Sequence, residues 1–238
     1  MKFLRNLLAS ILGSLVAFGI LFFMFLIFIA LAGKEEKVID VPKSAILKLT
    51  VNTTVKDYGG KYSFTDLQYN FEKYDGLNHI LNAIRRAATD DRIQGISIDN
   101  TLLLAGMAQL RAIRDALGDF KASGKFVYAY SNFYMQKDYY LASVADSVFL
   151  NPAGEIDFRG LASEVLFFKD FQDKSGIKME VIRNGKYKSA AEPFLTNEMS
   201  EANREQLSEL LYSMWDVVLS DISKSRKLSE EILNTIAD

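Results

Sequence analysis

The dominant pattern in the chain is an unbroken apolar run near its start. From Asn6 to Gly33 no residue is charged, and Leu7 to Ala32 reads LLASILGSLVAFGILFFMFLIFIALA. As a helix this run is about 39 Å long, more than the ~30 Å hydrocarbon core of a bilayer requires. It has no polar face, which separates it from the amphipathic helices of a globular core. Lys2 and Arg5 precede it, and Lys34-Glu35-Glu36-Lys37 follows it. The basic flank predicts a cytoplasmic N-terminus (residues 1–6) and a body on the far side of the membrane. Ala30-Leu31-Ala32 has the form of a signal-peptidase site. A cleavable signal, however, carries an apolar region of only about 7–15 residues. The prediction is therefore an uncleaved transmembrane anchor over residues 7–32.

After a linker at residues 33–43 the periodicity shortens. Ser44–Val51 is β-rich and reads as a strand, and residues 52–70 read as a long loop. Asp75 is placed to cap a helix whose apolar stripe is Leu77, Ile80, Leu81 and Ile84. Ile93–Ile98 reads as a strand. A helix with Leu110, Ile113, Leu117 and Phe120 follows, stopped by Gly124. Phe126–Tyr130 is a strand, 139–145 is helical, and Ser147–Leu150 is a strand ended by Asn151-Pro152. Val165–Lys174 reads as a helix closed by Gly176, and Ile177–Ile182 as a further strand. Strands alternating with helices predict an α/β domain with a mostly parallel sheet over residues 44–195. Beyond Pro193 the pattern is helical. Ser200 caps a long helix carrying Leu207, Leu210, Leu211, Met214 and Val218. Ser229 caps another, with Ile232, Leu233 and Ile236. No stop signal follows before Asp238, so residues 196–238 are expected to be a helical extension of a longer protein.

Composition narrows the chemistry. The 238 residues include no Cys and one His, and the formal charge is −2. Thiol nucleophiles, disulfides and thiolate metal sites are excluded. His79 alone cannot furnish a two-histidine zinc helix. The near-neutral charge argues against a nucleic-acid partner. No metal or other cofactor is predicted. A hydrolytic nucleophile would then be Ser or Thr activated by Lys. Such a lysine acts as a base only when neutral. Bringing the ordinary value of about 10.4 down to about 7 costs roughly 4–5 kcal/mol of differential solvation.

The densest polar patch is Asn184-Gly185-Lys186-Tyr187-Lys188-Ser189-Ala190-Ala191-Glu192-Pro193-Phe194. It follows a predicted strand, where open α/β sheets place their sites. Gly185 allows a tight turn, and Arg183 and Lys186 are candidate positive neighbours of Lys188. A solvated basic turn is the plain alternative. Lys188 and Ser189 are adjacent, so on a helix their side chains diverge by about 100° and make a poor dyad. Ser189 therefore reads as a packing or hydrogen-bonding residue. Glu192 reads as a structural link, either to Lys188 or across the turn. His79 and Tyr139-Tyr140 read as boundary and core residues. Trp215, with Tyr212 and Met214, reads as part of a helix that packs on a partner repeat.

Tyr187–Phe194 (YKSAAEPF) resembles the signature of signal peptide peptidase A (protease IV) in its long double-domain type. Tyr139–Asp146 (YYLASVAD), Asn151–Gly154 (NPAG), Phe158–Leu161 (FRGL) and Thr196–Arg204 (TNEMSEANR) resemble the first repeat of that family in order and spacing. The resemblance implies a ClpP/crotonase-like fold and a membrane-anchored serine endopeptidase that degrades signal peptides left after preprotein processing. It implies Lys188 as general base, with Tyr187, Ser189, Glu192 and Gly185 supporting it. It also implies a nucleophilic serine from a second repeat. In front of Tyr139-Tyr140 stands Gln136-Lys137-Asp138, where a nucleophilic repeat has Ser-Gly-Gly, so this chain holds the lysine half of a dyad. The partners implied are the lipid bilayer, remnant signal peptides, and a second peptidase repeat or further copies of the chain. The location implied is the bacterial inner membrane, with the body extracytoplasmic. Two other readings compete. One is a non-catalytic membrane-anchored scaffold, motivated by the missing serine. The other is an acyl-CoA enzyme of the same fold, which leaves the anchor unexplained.

Overall fold

The computed structural model describes residues 2–32, 41–51, 53–59, 74–99, 102–177, 179–182, 185 and 188–238. The chain divides into two compact units, residues 1–42 and 43–238. In the first, helix α1 runs Lys2–Ala32. Over Lys2–Ile29 it is long and apolar enough to cross a membrane, and none of that segment's most apolar window is buried within the protein.

The second unit is α/β, as its alternating pattern predicts. Its strands are β1 (Ala45–Leu49), β2 (Thr54–Lys56), β3 (Tyr74–Gly76), β4 (Ile93–Ile98), β5 (Phe126–Tyr134) and β6 (Ser147–Ile156). Four of them form one sheet in the order β1-β4-β5-β6, with every pair parallel. β2 and β3 form a separate parallel pair. Helices α2 (Leu77–Thr89), α3 (Met107–Ala122) and α4 (Gln136–Ala142) supply the crossovers that parallel strands need.

Register sorts the sheet into two faces. Ile96 pairs with Val127 and Ile98 with Ala129. All four are buried, as are the helix residues Ile84, Leu110, Ile113, Leu117 and Phe120. This is the core. Gly95 pairs with Phe126 on the opposite face. A Cβ at Gly95 would lie 2.4 Å from the Phe126 ring, so the ring stands where a side chain would otherwise be. Phe126 in turn stacks on Tyr128, with centroids 6.1 Å apart.

Strand β6 runs further than Leu150. Pairing with β5 is interrupted between Ser131 and Phe133 and resumes at Glu155. Pro152 sits within that irregularity, where a missing N–H costs no ladder bond. Asn151 bridges it: its Oδ1 accepts from the Ala153 N–H at 3.0 Å, and its Nδ2 donates to Asn132 at 3.0 Å. Other boundaries also shift. Gly76, not Asp75, is the residue preceding α2. Asp75 instead accepts a 2.7 Å hydrogen bond from Thr53. Helix α5 is Lys169–Ser175, shorter than 165–174, and Gly176 closes it at φ 73°.

The C-terminal helices belong to the same compact unit as the sheet. α7 (Glu201–Arg226) and α8 (Glu230–Ala237) start at Ser200 and Ser229, whose hydroxyls accept from the N–H of Asn203 and Ile232. The buried stripe of α7 is Trp215, Val218, Leu219 and Ile222. Of the predicted stripe Leu207, Leu210, Leu211, Met214 and Val218, Val218 is buried and Leu207 and Leu211 are half-buried. Leu210 and Met214 face solvent.

What fixes α7 to the sheet layer is a buried guanidinium. Arg114 on α3 is only 4% exposed. Its Nη1 donates to the carbonyl of Tyr140 and to Ser143 Oγ, and its Nη2 to the carbonyl of Asp221 (2.7 Å) and to Ser225 Oγ (2.6 Å). It also lies 4.9 Å from the Tyr140 ring centre. Tyr140 closes the set by donating to Asp221 Oδ2 at 2.7 Å. One planar fork thus joins α3, α4 and α7. Truncating it removes four hydrogen bonds from a charged donor, a kind worth about 1.5–3 kcal/mol each, and leaves a hole between the three helices. Arg114→Ala should therefore lose roughly 3 kcal/mol or more of stability in denaturant titration. Arg114→Lys should recover only part, because an ammonium cannot reproduce the fork. A wild-type midpoint for Arg114→Ala would contradict this assignment.

Candidate active site

The signature segment is a tight turn built on two buried polar side chains. Lys188 precedes a 3-10 turn, Ser189–Ala191, and the short helix α6 (Glu192–Leu195) with Pro193 in its first turn. Proline is tolerated there because the first N–H groups of a helix have no internal partner.

Glu192 is one of the two. It is 3% exposed. Its Oε1 accepts from Ser200 Oγ at 2.6 Å, and its Oε2 accepts from the Ser200 N–H at 3.2 Å and from Asn203 Nδ2 at 3.0 Å. The carboxylate therefore sits at the N-terminus of α7, where the helix dipole favours negative charge. Of the two links open to Glu192, these contacts are the one across the turn.

Gln172 on α5 is the second. Its Nε2 donates to the carbonyl of Phe194 at 3.0 Å, and its Oε1 accepts from the Met179 N–H at 3.2 Å. Phe168 reinforces the joint. Its N–H donates to the Pro193 carbonyl at 2.6 Å, and its ring stacks on Phe194 with centroids 5.7 Å apart. Gln172 carried no sequence signal. It lies outside the signature and looked like an ordinary helix polar residue.

Lys188 itself is exposed and has no hydrogen bond or ion pair among the described residues. Ser189 is half-buried. Gly185 has φ 106°, a conformation that a side chain would strain, so the tight turn expected there is present. Tyr187, Lys186 and Arg183 lie outside the described residues. The strand expected at Ile177–Ile182 is absent over its described positions, which are irregular. Ile177, Met179 and Ile182 are exposed, as are Leu166 and Phe171 on the same stretch of chain. This much exposed apolar surface on the chain leading to the signature is what an uncovered interface looks like.

The triplet in place of Ser-Gly-Gly is held fast. Gln136 Oε1 accepts from the N–H groups of Arg159 and Gly160, both at 3.1 Å, and its Nε2 returns a bond to the Gly160 carbonyl. Lys137 donates to the Ala105 carbonyl at 3.2 Å. Asp138 is buried and accepts from the Leu103 N–H at 3.0 Å, while its Oδ2 has no partner among the described residues. An aromatic chain backs this region. Tyr134 packs on Tyr139, Tyr139 on Phe158, and Phe158 on Trp215, with centroids 6.3, 5.8 and 5.3 Å apart. Trp215 thus packs within its own repeat, and its Nε1 donates to Asn234 on α8 at 2.8 Å.

Two predictions follow from these carboxylates. Glu192→Ala removes the anchor at the start of α7 and should cost about 2 kcal/mol or more, with local loss of amide protection at 188–203. Unchanged protection there would contradict the anchor. Burial pushes the Asp138 carboxyl above its ordinary value of 3.8. The folded state then holds this proton to higher pH than the unfolded state. Stability therefore falls as pH rises from about 4 through the elevated value, and is independent of Asp138 below that window. Asp138→Asn keeps the acceptor oxygen and should flatten the decline in a pH series of melting temperatures. An unchanged slope would show that Asp138 is not its source.

Comparison with known proteins agrees with this architecture. The family model described as peptidase family S49 matches residues 119–238. Protease 4 of Salmonella typhi is 39% identical over 160 residues, covering 67% of this chain and 26% of the relative. Protease 4 of Haemophilus influenzae is 38% identical over 153 residues, covering 64% and 25%. The chloroplastic serine protease SPPA of Arabidopsis thaliana is 31% identical over 198 residues, covering 82% and 28%. The chain thus spans about a quarter of the length of these relatives. The matched stretch runs from the end of α3 through the signature turn to α8, and on that footing the chain belongs to peptidase family S49.

Proposed function

We propose that this chain is the lysine-bearing part of a membrane-anchored serine endopeptidase. The observation that carries the reading is Lys188. It is exposed on a turn locked by Glu192 and Gln172, the chain leading to that turn exposes Ile177, Met179 and Ile182, and the triplet at 136–138 holds no nucleophile. In the reaction, a serine hydroxyl from a second repeat transfers its proton to the neutral Lys188 amine as its oxygen attacks the peptide carbonyl. The ammonium then returns that proton to the leaving amine. Such a base must be desolvated to stay neutral. Covering Lys188 with a second repeat, or another copy, would supply that desolvation and the serine together. The substrates proposed are remnant signal peptides, apolar segments already near the bilayer. α1 serves as an uncleaved anchor, with Lys2 and Arg5 on the cytoplasmic side and the body extracytoplasmic, at the bacterial inner membrane.

The alternative is a scaffold without hydrolysis, which the rigidly hydrogen-bonded Gln136-Lys137-Asp138 triplet favours. One experiment separates the two. In the complete membrane protein, Lys188→Ala should lower hydrolysis of a synthetic leader peptide by about 10²–10⁴-fold, the usual worth of a general base. The melting temperature should stay within a degree or two, because Lys188 is exposed and unpartnered among the described residues. Near wild-type hydrolysis in this variant would sink the proposal.

A further inference from the structure

The unit formed by residues 43–238 contains a second concave feature, built by elements other than those that present Lys188. It is a cavity of about 500 Å³ between α3, the start of α4 and α7. That volume is in the range of pockets that hold small ligands, roughly 300–1,000 Å³. Its walls are apolar: Met107, Leu161, Met214 and Val217 line it, with the Tyr140 ring. Met214 and Val217 are exposed on α7, and the sequence pattern placed Met214 in the core.

Its polar groups are few, and its charged ones are cationic. Arg111 and Lys137 stand at the lining. Lys137 spends one N–H on the Ala105 carbonyl and keeps two. Arg111 approaches Asp221 only at 4.0 Å, and that carboxylate is already engaged by the Tyr140 hydroxyl at 2.7 Å. Counting Asp221, the cavity keeps a net positive charge. An apolar chamber with a positive group on its wall is complementary to an apolar chain that ends in a carboxylate.

The remaining lining groups favour a peptide over a fatty acid. Gln136 Nε2 donates to the Gly160 carbonyl and has a second N–H to offer. Ser213 Oγ donates to the Leu210 carbonyl and can still accept. A peptide backbone pairs with a donor and an acceptor, and an acyl chain does not. The two methionines are unbranched and adjust to different side chains.

We infer that this cavity binds the C-terminal end of an apolar peptide, with its free carboxylate held by Arg111 and Lys137. The choice of peptide rests on the function proposed above, but binding here requires neither the serine nor Lys188. The test uses the full 238-residue chain in detergent micelles and the N-terminally dansylated peptide Leu-Ala-Leu-Ala, with anisotropy as the readout. Saturable binding is expected, and the C-terminal amide of the same peptide should bind at least tenfold more weakly. Arg111→Gln should erase most of the difference between acid and amide. Met214→Glu, at an exposed helix position, should block both. Lys188→Ala should leave binding intact, so a failure of the catalytic reading and a failure of this site give different results. Equal affinity for acid and amide, or no saturable binding, would overturn the inference. So would palmitate displacing the probe at lower concentration than unlabelled peptide does.

Discussion

The buried guanidinium of Arg114 is the constraint on which the rest of the body depends. Four donor contacts from one side chain tie α3 to α4 and to α7. Burial depresses its proton affinity, and the surrounding carbonyls, the Tyr140 ring and Asp221 offset that cost. With α7 so held, Trp215 meets Phe158 and closes the aromatic chain that begins at Tyr134. The N-terminus of the same helix receives the Glu192 carboxylate. The signature turn is thus attached, through α7, to the same buried fork that organises the sheet layer.

This connection separates holding the site from completing it. Glu192 and Gln172 are inside, hydrogen-bonded and fixed. Lys188 is outside and exposed. On the function proposed above, the chain supplies position and a covering repeat the dry environment. The triplet Gln136-Lys137-Asp138 fits that division. Where a nucleophile would need room, three side chains are committed to neighbouring loops.

Much of the fold was legible in the sequence, because local patterns and burial agreed. Ile93–Ile98 is a strand with the expected bounds, Phe126–Tyr130 lies within a strand that runs on to Tyr134, and Gly124, Gly176, Ser200 and Ser229 mark helix ends as expected. The misses have physical causes. α7 carries two apolar stripes, and periodicity cannot say which one the core takes. Trp215, Val218, Leu219 and Ile222 are buried, while Leu210 and Met214 are not. β6 continues past Pro152 because a register irregularity absorbs the proline. The β-rich composition of 177–182 does not yield a strand over its described positions, which pair with no strand among the described residues. At the site, the signature singled out Lys188 and Glu192, and Gly185 stood just before it as a turn residue. The ties made by Gln172 and Gln136 depend on contacts about 20 residues away and leave no local trace.

The central claim is that Lys188 sits on a face completed by a covering partner. Its most direct measurement is the reactivity of Lys188 toward an amine-acylating reagent, read residue by residue by mass spectrometry. The account predicts rapid labelling in this chain alone and strong protection in the complete assembled protease, with exposed Lys227 labelled equally in both. Equal labelling of Lys188 in the two states would contradict it.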